Sequence, residues 1–274
     1  MSEEKKRDML FEIVEKKKLI VEKAKQELPL HELKKQVKCG KFGMSQKFRN
    51  NKWNLIAECK LQSPSKGLFK QRHTVEELAK IYAANGASML SVHTDPHFLG
   101  KNEDIPLMKS IVDIPVMRKE FIIDEYQIYE SRMLGADAVL LIARILTKEQ
   151  LKQFLYLTWS LGMDALIEVH DEEDMEKALA TPAEYIGINN RNLKYFNTTI
   201  ENTIELLPSA DKNRTLISES GIFTMEDVEK LRNAGVDGIL VGEGLSTASD
   251  VALRTQEFSY SKNYYYLCNH KNNK

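Results

Sequence analysis

Charged and amide side chains in this sequence recur where apolar runs stop: Glu58 and Lys60, Lys119, Glu168, Asn189 and Arg191, then Glu219-Ser220. A charge at the end of an apolar strand is costly to desolvate unless it is paired or used, so its recurrence at similar places argues for one shared site. Ammonium and carboxylate groups gathered in a water-poor cleft are suited to proton transfer. Glu58 and Lys60 are two apart in Leu55-Ile56-Ala57-Glu58-Cys59-Lys60, and strand alternation turns both to one side. Asn189 and Arg191 share a side in the same way, and Glu168 closes an apolar run with His170 next on its face. Any one of these pairs alone is as well explained as an ion pair holding a strand end. All of them together point to an enzyme.

The elements that must position these groups follow from a weak internal repeat. Gly86, Gly135, Gly162 and Gly235 each sit between a helical pattern and a buried apolar run, where a left-handed C′ residue ends a helix. Their spacings are near-multiples of a strand-plus-helix unit of roughly 25 residues. Strands are expected at 55–60, 89–92, 116–118, 138–142, 164–169, 185–189, 215–219 and 238–241, with amphipathic helices between them, such as 75–84 and 148–161. Such alternation predicts an α/β protein, a parallel (β/α)8 barrel, with a doubly wound open sheet as the alternative. Before the first strand, Leu10, Ile13, Val14, Lys17, Val21 and Ala24 follow helical spacing, so an extra N-terminal helix should pack on the barrel. One domain is expected over 1–260, its N-terminal helical extension covering 1–52, with a tail at 261–274.

Composition narrows the function classes. The 274 residues carry a formal net charge of −1, which removes the simplest argument for nucleic-acid binding. Residues 1–52 have a basic excess and the remainder an acidic one; a solvated helix face explains this more simply than a membrane or RNA patch. Cys39, Cys59 and Cys268 are odd in number and widely spaced, which disfavours a disulfide framework or zinc site and suits a reducing cytosol. No apolar run is long enough to span a bilayer, and the charged start lacks the core of a signal peptide. His93 and His97 are four apart, but Pro96 argues against a continuous helix presenting both to a metal. Asp171-Glu172-Glu173-Asp174 is expected to stabilise a helix N-terminus.

The last two strands are followed by loops that suit an anion. Ser218-Glu219-Ser220-Gly221-Ile222 and Val241-Gly242-Glu243-Gly244 offer backbone N–H groups and a hydroxyl where barrels often hold phosphate. Either glycine motif alone is weak evidence, but their paired position gives it weight.

Five ordered segments carry a resemblance: Ala57-Glu58-Cys59-Lys60 with Ser63-Pro64-Ser65-Lys66-Gly67, Arg118-Lys119-Glu120-Phe121-Ile122-Ile123-Asp124, Ile167-Glu168-Val169-His170, Gly187-Ile188-Asn189-Asn190-Arg191-Asn192-Leu193 and Ser218-Glu219-Ser220-Gly221-Ile222. Together they resemble the signature segments of the indole-3-glycerol-phosphate synthase family, from about Lys5 to Asp250. The resemblance implies a (β/α)8 barrel that closes the indole ring in tryptophan biosynthesis without metal or organic cofactor. The implied substrate is 1-(2-carboxyphenylamino)-1-deoxyribulose 5-phosphate. It further implies Lys119 as the acid for the developing alkoxide, Lys60 as a second acid, Glu168 as base, Glu58 as the group orienting Lys60, and Asn189 as a hydrogen-bond partner of the substrate. Ser220, Gly221, Gly242 and Glu243 would hold the phosphate with Arg191 nearby, Glu243 through its N–H alone. Glu219 is counted with these substrate-binding residues. Phe98 and Phe121 would wall the anthranilate ring, and the Ser63–Gly67 stretch, with Ser63 and Ser65, would form a lid. His93 stands where the family more usually has an aliphatic residue and Arg144 where it has a small one; Arg144 is expected either to crowd the barrel mouth or to rotate outward. The alternative function is a non-catalytic phosphate-binding barrel acting as a scaffold. No nucleic-acid or membrane partner is expected, and protein partners are left open.

Overall fold

A computed structural model of the chain describes residues 3–60, 62–63, 67–68, 73–191 and 198–261. Eight parallel strands close into a barrel: β1 (Asn54–Cys59), β2 (Met89–His93), β3 (Val116–Lys119), β4 (Ala138–Ile142), β5 (Asp164–Val169), β6 (Tyr185–Asn189), β7 (Thr215–Glu219) and β8 (Gly238–Val241). Each strand pairs with its neighbour in the chain, and β8 returns to β1 with Leu55 opposite Ile239. The open-sheet alternative is therefore excluded. A separate two-stranded antiparallel hairpin pairs Gln62–Ser63 with Gly67–Leu68.

Alternation along the strands sorts the apolar residues into two layers. Ile56, Met89, Met117, Leu140, Leu166, Ile217 and Leu240 fill the barrel interior. Their sequence neighbours Leu55, Leu90, Val116, Val139, Ala165, Leu216 and Ile239 face the helical jacket, a separate buried cluster. The inward set keeps its parity towards the strand ends, so Glu58, His93, Lys119, Glu168, Asn189 and Glu219 must also point inward.

Three helices precede β1. They are α1 (Glu3–Glu27), α2 (Leu30–Gln36) and α3 (Gly43–Phe48). Helix α1 buries Ile13, Lys17 and Val21, as the helical spacing predicts. Helix α3 plugs the N-terminal end of the barrel: Met44 and Phe48 join the interior cluster, and the Phe48 ring meets Tyr185 edge-on at 5.7 Å. Asp164, at the start of β5, anchors this plug by accepting from the Ser45 N–H at 3.0 Å and from the Ser45 hydroxyl. With that end filled, only the C-terminal end is left for chemistry.

The jacket comprises α4 (Val75–Ala84), α5 (Asp104–Ile111), α6 (Glu125–Leu134), α7 (Lys148–Ser160), α8 (Glu172–Leu179), α9 (Glu201–Leu206), α10 (Met225–Ala234), α11 (Glu243–Ser246) and α12 (Val251–Ser259). Capping boxes open α4, α6, α7 and α10, where Thr or Asp and a partner three residues on satisfy orphan N–H groups. Asp171 caps α8 by accepting from the Asp174 N–H, as the acidic run suggests. Arg144 turns outward and pairs with Asp171 and Asp174, so it neither crowds nor recharges the mouth. Among the described residues, no helix is long and apolar enough to cross a membrane.

The four repeat glycines adopt the positive φ that their sequence positions predict. Gly235 isolates the cost of replacing one: its φ is +104°, and an added Cβ would meet nothing within 4 Å. Gly235→Ala should therefore destabilise the chain by backbone strain alone, about 1–2 kcal/mol, measured as a lower urea midpoint at unchanged slope.

Candidate active site

At the C-terminal end of the barrel the inward side chains converge. Lys119, the last residue of β3, extends its ammonium among three carboxylates: Glu219 Oε2 at 3.0 Å, Glu168 Oε2 at 3.7 Å and Glu58 Oε1 at 3.8 Å. Lys60, just past β1, lies 3.5 Å from Glu58 Oε2. Asn189 at the end of β6 faces the same cavity as Glu168, and its Oδ1 accepts from the backbone N–H of Arg191 at 3.0 Å. His170 Nε2 stands 3.3 Å from Glu168 Oε1. The acid, base and orienting candidates thus form one cluster, although an ion pair holding a strand end explained any one of them equally well.

Burial sets the electrostatics of this cluster. It disfavours ionisation of Glu58, yet Lys60, His93 and Lys119 together hold that carboxyl well below the ordinary range. Burial similarly opposes the charge of Glu168, and Lys119, His170 and the Asn189 amide outweigh it, so Glu168 is also shifted down. Lys119 would lose its proton more easily through burial, but the surrounding carboxylates raise it above the usual lysine range. Glu219 is the exception. Burial, reinforced by the like charges of Glu168 and Glu58 against the opposing pull of Lys119, pushes it up to about 7.

An apolar wall adjoins the cluster. The Phe98 and Phe121 rings lie 6.2 Å apart and 26° from parallel, and with Leu10 and Ile13 of α1 they line a cavity of about 160 Å³ whose floor is Lys119, Glu58 and Glu168. Helix α1 therefore roofs the site, a role its amphipathic spacing did not reveal. A second cavity, of about 240 Å³, opens beside it against Ser220, Gly221, Gly242, Glu243 and Gly244; Lys60, Arg191, Glu58 and Ser220 border both. Ser220 and Gly221 bend the loop with φ of 69° and 72°. Asn190 holds this bend: its Nδ2 donates to the Ser220 carbonyl at 2.9 Å and to the Ser218 hydroxyl at 2.9 Å, while its Oδ1 accepts from Thr203. A Cβ on Gly242 would collide with the Glu58 carboxylate, so only glycine lets the loop approach β1 this closely.

The sequence expectations meet this geometry as follows. Lys119, Glu168, Lys60, Glu58 and Asn189 come together in the first cavity, joined by Phe98 and Phe121. Ser220, Gly221, Gly242 and Glu243 line the second with Arg191. Glu219 separates from the loop with which it was grouped: it is fully buried, faces the barrel axis and accepts from Lys119. Its side chain belongs to the cluster around Lys119. Ser65 lies outside the described residues, and only the backbone of Ser63 is within them. His93 and His97 turn to different carboxylates, Glu58 and Asp95. Among the described residues, no group of three or more His, Cys, Asp or Glu could hold a metal ion.

The family model for indole-3-glycerol phosphate synthase matches residues 10–258, which include both cavities. The chain belongs to this family. It is 41% identical over 253 residues to the indole-3-glycerol phosphate synthase of Alkaliphilus metalliredigens, covering 91% of this chain and 97% of that one. It is 48% identical over 206 residues to that of Desulforamulus reducens, covering 74% and 78%. Solved structures echo the fold alone. 3-Hexulose-6-phosphate synthase from Salmonella typhimurium has a TM-score of 0.60 at 14% identity, covering 76% of this chain and 97% of that one. Orotidine 5′-phosphate decarboxylase from Pyrococcus horikoshii has a TM-score of 0.57 at 12% identity, covering 75% and 97%. Membership of the indole-3-glycerol phosphate synthase family sets the chain among the enzymes of tryptophan biosynthesis, and the scaffold alternative finds no support in these relatives.

The carboxylates of this cluster bear on stability in opposite senses. Glu219 binds its proton more tightly folded than unfolded, so its contribution is complete below about pH 4.5 and is lost as the pH rises through about 7. Glu58 and Glu168, shifted downward, contribute above the ordinary carboxylate range and lose that contribution as the pH falls. Between about pH 5 and 8, the urea stability of Glu219→Gln should therefore decline less than that of the parent chain. Equal pH slopes in the two proteins would mean that Glu219 stays ionised throughout.

Proposed function

We propose that this chain converts 1-(2-carboxyphenylamino)-1-deoxyribulose 5-phosphate to indole-3-glycerol phosphate, acting as a carboxy-lyase. The observation that carries the reading is the Lys119 ammonium, held at 3.0 Å from Glu219 beside an aromatic wall and next to a phosphate-sized cavity. The anthranilate ring would lie against Phe98 and Phe121, with its phosphate in the loops around Ser220, Gly221 and Gly242. The Glu243 backbone rather than its carboxylate would face the phosphate, because two anions repel. Arg191 and Lys60 border both cavities and suit the sugar phosphate between the two ends.

In the first step the ring carbon bearing the carboxylate attacks the C2 carbonyl, forming the carbon–carbon bond while the carbonyl π pair moves to oxygen. Lys119 gives a proton to this alkoxide in a site that excludes water. Loss of the carboxyl group as CO₂ returns its bonding pair to the ring and restores aromaticity. The hydroxyl then leaves as water with a proton from Lys60, and Glu168 takes the remaining proton as the indole double bond forms. Glu58 orients Lys60 at 3.5 Å, and Asn189 aligns Glu168 and the substrate. Glu219, with its carboxyl poised near 7, would return a proton to Lys119 between turnovers. Each step uses side chains of this chain alone.

The reading extends to the whole chain as one domain over 1–260, including the N-terminal extension, with 261–274 as a tail. The Ser63–Gly67 stretch would serve as a lid. A cytosolic setting accords with a biosynthetic role and with the free thiols of Cys39 and Cys59.

Lys119→Ala should lower kcat by about 10²–10⁴-fold, the usual contribution of a general acid, while far-UV circular dichroism stays unchanged. The assay is steady-state turnover of the carboxyphenylamino-deoxyribulose phosphate followed by product fluorescence. Normal rates in the variant would remove Lys119 from the mechanism.

A further inference from the structure

His93 has no task in these steps, although its surroundings are as closely built as those of the lysines. It is the last residue of β2, faces inward, is only 8% exposed and lies in register with Lys119. Its Nε2 is 2.8 Å from Glu58 Oε1. That same oxygen lies 3.8 Å from the Lys119 ammonium, while Glu58 Oε2 faces Lys60. The other side of its function is aromatic: the imidazole lies flat on Phe98, with centroids 4.6 Å apart and planes 12° from parallel.

We propose that His93 is a positioning residue for the reaction, holding Glu58 by a hydrogen bond and Phe98 by stacking, so that one imidazole sets the acid lysine and the aromatic wall relative to each other. The proposal rests on the synthase reading above. An ionised Glu58 can only accept, so His93 Nε2 must carry the hydrogen and donate it. This directional bond occupies Oε1, and Lys119 remains beyond hydrogen-bond length from that oxygen while staying at 3.0 Å from Glu219. Without the imidazole, Oε1 is a buried acceptor with the Lys119 ammonium 3.8 Å away. A lysine head on a flexible four-carbon stem has the freedom to swing to it. The acid would then leave the place where the alkoxide forms. The stacking acts on a different quantity, because Phe98 would pack on the face of the anthranilate ring, a dispersion contact that is much the same before and during ring closure and so contributes mainly to binding.

Two substitutions separate the roles. His93→Phe keeps an aromatic ring on Phe98 and removes the donor; His93→Gln keeps an N–H donor and removes the ring. In the full-length enzyme, His93→Phe should lower kcat by about 10- to 100-fold, the scale of a misplaced catalytic group, with KM within about twofold. His93→Gln should keep kcat within about threefold and raise KM severalfold. A His93→Phe enzyme with parental kcat overturns the proposal, and so does an equal fall in kcat with an equal rise in KM in both variants, which is what a merely structural residue would give. Should His93→Phe fail to fold by circular dichroism, the His93→Gln enzyme decides: raised KM with retained kcat supports the proposal, and unaltered KM overturns it. Absence of turnover in the parent chain removes the synthase reading and this proposal with it, whereas an active parent with unsplit variants removes the proposal alone.

Discussion

Everything at the barrel mouth depends on a single buried ammonium balanced against three carboxylates. Taking Lys119 out of water is costly, and the cost is offset only because Glu219, Glu168 and Glu58 reach it from β7, β5 and β1. Three carboxylates around one ammonium leave an excess of negative charge, which Lys60 offsets from the periphery, while His93 and His170 lie against Glu58 and Glu168. The residual imbalance falls on Glu219, the least solvated of the three, and lifts its carboxyl towards neutrality. The cluster thus holds a strongly protonated lysine beside an acid that exchanges its proton near physiological pH.

Such a cluster needs strands whose ends arrive at one level, and closure of the barrel supplies this. Glu168 lies opposite Ile142 and Gly187, Asn189 opposite Glu219, and His93 opposite Lys119. A register slip of one residue on any strand would turn its polar end residue into the apolar jacket and a jacket residue into the interior. The site is therefore defended by the core. The Ile56, Met117, Leu166 and Ile217 layer fixes which parity faces inward, and the α3 plug closes the other end with Met44 and Phe48. Gly187 has a matching part: a Cβ there would collide with Glu219 Oε1, so glycine on β6 makes room for the acid on β7.

How legible was this in the sequence? Strand runs, their alternation and the positive-φ glycines depend on local rules, and the (β/α)8 barrel with its polar rim followed from them. Glu219 was harder because Ser220 and Gly221 beside it belong to the anion loop; proximity in sequence grouped them, while strand parity divides them at the last residue of β7. Leu10 and Ile13 showed a helix with one apolar face, but helical spacing carries no information about which end of a barrel that face covers. Asn190 points out of the barrel, where a polar residue ordinarily signals solvent, and its role in bending the Ser220 loop exists only through Ser218 and Thr203, 28 and 13 residues away. His93 carried a signal, a titratable ring at an inward strand end, but its partners on β1 and in the loop after β2 appear only once the strands pair.

The two lysines differ in what surrounds them, and that difference bears on how they divide the proton transfers. Lys119 touches three carboxylates and borders only the cavity with the aromatic wall, whereas Lys60 faces Glu58 and borders both cavities. In the proposed reaction the ring-closing alkoxide would form where the anthranilate ring meets the sugar, against Phe98 and Phe121, on Lys119's side. The dehydration that follows would expel that same oxygen as a hydroxyl, from a carbon that also carries the phosphorylated chain, so a second acid can approach it from the side of the Ser220 and Gly242 loop. A lysine between the two cavities can reach that hydroxyl without displacing the first. Glu58 then has a reason to sit between them: its Oε2 serves Lys60 while its Oε1 is taken by His93, so that neither lysine competes for the other's carboxylate.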